Sequence, residues 1–164
     1  MKRILPLLLI LLTGCATTPK YNYQSQSGAD PQFIFGDRFG GGSVNSPARS
    51  FKINTTDAAF NKCTDFAYVG TTSNHWMHVV PKTVEIKVPT AKSVSISSGY
   101  NYSNGVTTST CTPPILMFSP QEGTVYSVDI ETIASKCALS IVRKLPDGKQ
   151  EPVSGITVLP ACKS

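Results

Sequence analysis

Apolar and polar residues alternate with a period of two through much of the chain, and this pattern constrains the fold most. In the clearest run, residues 83–88, Val84, Ile86 and Val88 fall on one face. Strict alternation of this kind marks a strand with one face on a core and the other in water. The same pattern recurs at residues 50–54, 93–97, 124–130, 137–141 and 156–158. The chain is therefore predicted to be all-β.

Turn signals separate these runs. Gly-rich or Pro-containing stretches occur at residues 40–43, 119–123 and 146–148, and Asn104-Gly105 is a dipeptide typical of hairpins. About eight strands with frequent turns predict an antiparallel β-sandwich, and a small β-barrel is the alternative fold.

The first residues have the organisation of an export signal. Two basic residues, Lys2 and Arg3, precede an apolar run from Ile4 to Leu12. Nine residues in a helix rise only about 14 Å, far short of the ~30 Å core of a bilayer. The run is too short for a permanent span and suits the apolar core of a signal peptide.

The next residues, Leu12-Thr13-Gly14-Cys15, resemble the lipobox of bacterial lipoproteins. The resemblance implies cleavage before Cys15, whose thiol carries a diacylglycerol, and addition of a further acyl chain such as palmitate. Ala16 in place of Asp implies sorting to the outer membrane of a Gram-negative cell, on its periplasmic side; in a Gram-positive host the anchor would be the cell membrane. The alternative is an ordinary secretory signal with an incidental cysteine.

This assignment divides the chain into three parts. Residues 1–14 form the signal peptide, residues 15–32 a polar, unstructured, lipid-anchored tether, and residues 33–164 the β-sandwich domain. The domain is similar in architecture to the immunoglobulin-like or transthyretin-like sandwiches of outer-membrane lipoproteins, although no diagnostic motif selects one family.

Four cysteines remain after Cys15. An even number in an oxidising compartment predicts two disulfides, and the absence of a Cys-x-x-Cys pair argues against a redox or zinc motif. If residues 137–143 and 152–158 form neighbouring strands, Cys137 lies near Cys162, which leaves Cys63 to pair with Cys111. A different strand order would change this pairing.

The charge pattern argues against a nucleic-acid partner. The formal charge is +5, and removal of Lys2 and Arg3 leaves 13 basic against 10 acidic residues. These basic residues are scattered and never form a patch or stripe. The expected partners are the membrane, through the lipid, and an envelope protein.

Two stretches contain candidate ligand-binding residues. Tyr100 and Tyr102 share one strand face beside amide and hydroxyl groups, which would suit stacking on a cell-wall glycan. His75, Met77 and His78 could bind copper, although an incomplete ligand set favours an ordinary loop and no metal site is predicted.

No catalytic set is recognisable, and no cofactor is expected. The chain lacks a Gly-x-Ser-x-Gly elbow, and Asp129 and Glu131 are expected to point to solvent on one strand. The sequence favours a non-enzymatic structural or protein-interaction component of the cell envelope. A polysaccharide-binding lipoprotein and a copper-handling protein are the alternatives.

Overall fold

The structure, a computed structural model, describes residues 18–37, 47–56, 63–73, 81–90, 92–103, 106–133 and 136–162. The lipobox, residues 40–43 and His75 to His78 lie outside these ranges. No helix in the described ranges has the length and apolar character needed to cross a bilayer.

The described residues fold into two packed sheets, and the fold is the predicted β-sandwich. The first sheet has the strand order β10-β9-β8-β1-β4, and the second has the order β11-β7-β5-β2-β3, with β6 also paired to β5. The strands are β1 (Gln32–Phe35), β2 (Arg49–Thr56), β3 (Ala67–Thr72), β4 (Val84–Lys87), β5 (Ser93–Ser103), β6 (Thr108–Cys111), β7 (Ile115–Phe118), β8 (Val125–Ile133), β9 (Lys136–Lys144), β10 (Gln150–Pro152) and β11 (Thr157–Leu159).

The core lies between the two sheets and follows the predicted alternation. Phe51 and Ile53 of β2 are fully buried, as is Val128 of β8. Phe33 lies at the centre of an aromatic cluster, with its ring centroid 5.1 Å from that of Tyr126. Neither sheet closes on itself within the described ranges, so the alternative small barrel is excluded there.

Three details differ from the prediction. The described ranges contain eleven strands rather than about eight, because short strands such as β1, β7 and β10 lack a clear alternating pattern. β1 pairs parallel with β8 and antiparallel with β4, so the sandwich is not purely antiparallel. Val158, expected in the core, is 63% exposed because it lies on the short edge strand β11.

The two sheets meet along one flank through β3 and β4. Gly70 of β3 lies so close to Val84 that a Cβ at residue 70 would come within 2.8 Å of a Val84 methyl carbon. The other edges, β10 and β11, are formed by the C-terminal part of the chain. The sandwich therefore has a β3–β4 flank and a β10–β11 flank.

Candidate functional site

The two disulfides are present, but the favoured pairing was wrong. Cys63 is bonded to Cys162, and Cys111 is bonded to Cys137, with Cα–Cα distances of 5.6 and 5.8 Å. The first bond closes a sequence separation of 99 residues, and the second a separation of 26 residues.

The predicted pairing was wrong because the strand that begins at Lys136 does not pair with residues 152–158 as expected. The turn at residues 145–149 does form a hairpin, but its second strand is the short β10, which pairs with Val142 to Lys144. The chain then crosses to the other sheet, where β11 pairs with β7. This crossing carries Cys162 away from Cys137 and places it beside Cys63.

The structure places Tyr100 against the core rather than in an open stacking position. Tyr100 is half-buried, packs on the core cluster, and lies opposite Arg49 on β2 and Cys111 on β6. Tyr102 occupies the same strand two residues later, but its side chain lies outside the described part. Asn101, between the two, is exposed.

A buried ion pair joins the two sheets and corrects the expectation for Asp129. Asp129 of β8 is 2% exposed, and one carboxylate oxygen lies 3.3 Å from a guanidinium nitrogen of Arg49 on β2. Burial lowers the pKa of Arg49, and the neighbouring carboxylate of Asp129 opposes that shift. Asp129 was expected to face solvent because its cationic partner is 80 residues away in sequence. Glu131 is half-buried.

Residues 19–31, named here the N-terminal strap, are docked on the β3–β4 flank. The Tyr68 amide donates to the Pro19 carbonyl at 2.7 Å, and the Tyr21 amide donates to the Tyr68 carbonyl at 2.8 Å. The Tyr21 hydroxyl then donates to the Lys87 carbonyl of β4 at 3.0 Å. The expected tether to residue 32 is corrected, because the described chain from Pro19 onward is held on the sandwich.

The carboxylate of Asp30 holds the C-terminal end of the N-terminal strap. This carboxylate accepts hydrogen bonds from the Ser25 hydroxyl at 2.7 Å, the Tyr23 hydroxyl at 2.9 Å and the Thr90 hydroxyl at 2.9 Å. Asp30 is 5% exposed. These bonds, first from Ser25 and then from Thr90 and Tyr23, hold the pKa of Asp30 well below its ordinary range, against the opposing effect of desolvation.

Replacing Asp30 by Asn is expected to loosen the strap. The ionised form accepts all three hydroxyl protons, whereas an amide oxygen is a weaker acceptor and its NH₂ group cannot accept. Since the folded-state pKa is depressed, this stabilisation is present above about pH 4 and is lost as the pH falls through the folded-state value. We expect a lower hydrogen-exchange protection factor at the Tyr21 amide in the variant, and the same fall in protection in the wild type once the pH drops through the folded-state pKa of Asp30.

Asp147→Asn is the matched control for this prediction. The Lys149 ammonium and then the Lys149 amide donate to its carboxylate and lower the pKa of Asp147, but this residue lies on an exposed turn away from the strap. Exchange at Tyr21 should be unchanged in this control. Equal exchange at Tyr21 in wild type and Asp30→Asn across the pH range would contradict the role given to Asp30.

Several depressions lie on the surface of the described residues. One, of about 280 Å³, lies beside the Cys63–Cys162 disulfide and is lined by Ser50, Lys52 and Ser97 among others. Another, of about 80 Å³, is lined by Tyr126 and Arg143. No group of three or more His, Cys, Asp or Glu side chains within the described ranges could hold a metal ion.

Comparison with known proteins assigns no family. No family model matches the chain, and no curated protein matches it with significant similarity.

Proposed function

We propose that the protein is a lipid-anchored outer-membrane lipoprotein that faces the periplasm and acts as a non-enzymatic structural or protein-interaction component of the cell envelope. The observation that carries this proposal is the lipobox-like Leu12-Thr13-Gly14-Cys15 directly after a basic start and an apolar run. A single acyl chain binds a bilayer only marginally, whereas two or more give stable anchoring.

The fold is consistent with an exported protein. All four cysteines of the sandwich are paired in disulfides, and such bonds persist in oxidising compartments such as the periplasm. The proposed interaction role is supported by a small disulfide-linked domain with a polar surface depression lined by Tyr126 and Arg143.

Cys15→Ser tests the anchor. With no thiol to accept the diacylglycerol, the variant should accumulate as an unprocessed precursor that still contains residues 1–14. Intact-mass analysis of wild type should give a mature chain that begins at an acylated Cys15. A mature, membrane-bound Cys15→Ser protein without acyl mass would contradict the proposal.

The interaction role is tested in the same cells. Crosslinked envelopes from wild type and Cys15→Ser should be compared for proteins and glycans recovered with the chain. A stoichiometric protein recovered only with the acylated wild type supports the proposed role. Recovery of wall glycan without a protein partner would replace it with the polysaccharide-binding alternative.

A further inference from the structure

We propose that the β3–β4 flank of the sandwich, covered by the N-terminal strap, rests on the bilayer that holds the lipid. This inference depends on the proposed acylation of Cys15 and extends it to the orientation of the folded domain. The occupant of this surface is the phospholipid headgroup layer around the protein's own anchor. The β10–β11 flank then faces away from the membrane.

The first argument is the length of the connection. Pro19 is fixed to β3 through its carbonyl, which accepts from the Tyr68 amide. Three residues, Ala16 to Thr18, lie between Cys15 and Pro19, so their Cα atoms are four steps apart, and even a fully extended chain spans at most about 3.6 Å per step. The lipid-bearing residue therefore lies within about 14 Å of the strap, which is less than the width of the domain.

The second argument is that the N-terminal strap is attached to the sandwich at both ends. Tyr21 is half-buried and contacts both sheets, through the Tyr68 backbone of β3 and the Lys87 carbonyl of β4. Ala29 accepts a backbone hydrogen bond from Gly123 at 2.6 Å, so the far end of the strap is also fixed. A strap held at both ends cannot act as a spacer between the membrane and the domain.

The third argument is the distance across the sandwich. β3 and β11 are the opposite edges of a sheet with five strands along its main path. Strands lie about 4.8 Å apart, so these edges are separated by about 19 Å. The short connection can hold one flank near the headgroups while the other remains outside them.

The charges on the β3–β4 flank agree with this orientation. Lys20 and Lys82 are exposed there, with Glu85 as an exposed acidic neighbour that accepts a hydrogen bond from Gln32. Basic side chains near an anionic bilayer surface favour contact with it. The exposed strap residues from Gln24 to Gly28 are uncharged and offer no repulsion.

The orientation is tested with two single-cysteine probes in the acylated full-length protein. Asn22→Cys lies on the strap beside β4, and Val158→Cys lies on β11; both positions are exposed. Each carries the same environment-sensitive fluorophore, the native disulfides are verified by peptide mass, and the protein is reconstituted into phosphatidylethanolamine–phosphatidylglycerol vesicles. Headgroup-labelled nitroxide phospholipid should quench position 22 about twofold or more above position 158.

A longer connection provides the matched control. Eight Gly and Ser residues inserted between Ala16 and Thr17 leave the sandwich and strap unchanged but extend the reach by about 26 Å. Quenching at position 22 should then fall towards that at position 158. Unchanged quenching would overturn the short connection as the cause of the orientation.

The outcomes separate this inference from the proposed function. Equal quenching at the two positions, or stronger quenching at position 158, in protein with verified acyl mass overturns the orientation and leaves the lipoprotein assignment intact. Absence of acyl mass on Cys15, with no recovery on floated vesicles, overturns both.

Discussion

Removal of the Cys63–Cys162 disulfide should destabilise the domain more than any single surface change. This bond closes a separation of 99 residues, and the loop-entropy relation assigns about 4.7 kcal/mol to a loop of that length. Cys63 is exposed and Cys162 is half-buried, so replacement by Ala removes little packing. A loss of this size is a large fraction of the roughly 5–15 kcal/mol that stabilises a typical domain. Urea denaturation of the Cys63→Ala/Cys162→Ala variant and of the wild type measures this loss of unfolding free energy.

Single variants distinguish this pairing from the one expected from sequence. If Cys63 and Cys162 are partners, Cys63→Ala, Cys162→Ala and the double variant should lose the same stability once free thiols are alkylated. If Cys63 were instead bonded to Cys111, the double variant would break two bonds and lose more than either single variant. The second result, or a Cys63–Cys111 peptide in a non-reducing digest, would contradict the structure.

The strands were predictable because alternation is a local property. Phe51 and Ile53 were expected on one face of a strand, and both are fully buried in β2. The run at residues 83–88 likewise forms β4, whose Val84 and Ile86 pack against the core. In each case the residues that define the pattern lie within a few positions of one another, and burial of one sheet face determines which side chains point to the core.

Pairing between distant strands was not predictable from the same patterns. The sequence shows that residues 137–141 form a strand, but not that the neighbour beyond the next turn is only Gln150–Pro152. The following strand, Thr157–Leu159, belongs to the other sheet. Gln150–Pro152 lacks an apolar face, and the alternation at residues 156–158 does not identify the partner of that strand, so the position of Cys162 depends on contacts that no local pattern records.

The N-terminal strap was missed for a similar reason. Its residues are polar and show no core period, which is the usual signature of an unstructured tether. Its stability comes from distant partners: Tyr21 donates to the Lys87 carbonyl 66 residues later, and Asp30 accepts from Thr90 60 residues later. The alternate spacing of Tyr21 and Tyr23 was the local sign that this segment packs on a surface.

Replacing Arg49 by Met should cost about 3 kcal/mol of unfolding free energy, because it leaves the buried carboxylate of Asp129 without this cation. The side chains of the pair are only 11% and 4% exposed, and they join β2 of one sheet to β8 of the other. Met preserves much of the aliphatic volume of Arg, so the loss reports on charge rather than on a cavity. Thermal or urea denaturation near neutral pH measures the change.

A double-mutant cycle separates the interaction energy of the Arg49–Asp129 pair from the effects of the surrounding contacts. Because Asp129→Leu removes the carboxylate that loses its cation in Arg49→Met, the double variant should be more stable than the sum of the two single losses predicts. Arg143→Met is the matched control, since Arg143 pairs with Glu151 where both side chains are more than a third exposed, and little stability should be lost there. If Arg49→Met and Arg143→Met caused the same small loss of unfolding free energy, the Arg49–Asp129 pair could not be a principal link between the sheets. The strength of that link would then have to come from the aromatic cluster around Phe33 and from the Cys111–Cys137 bond.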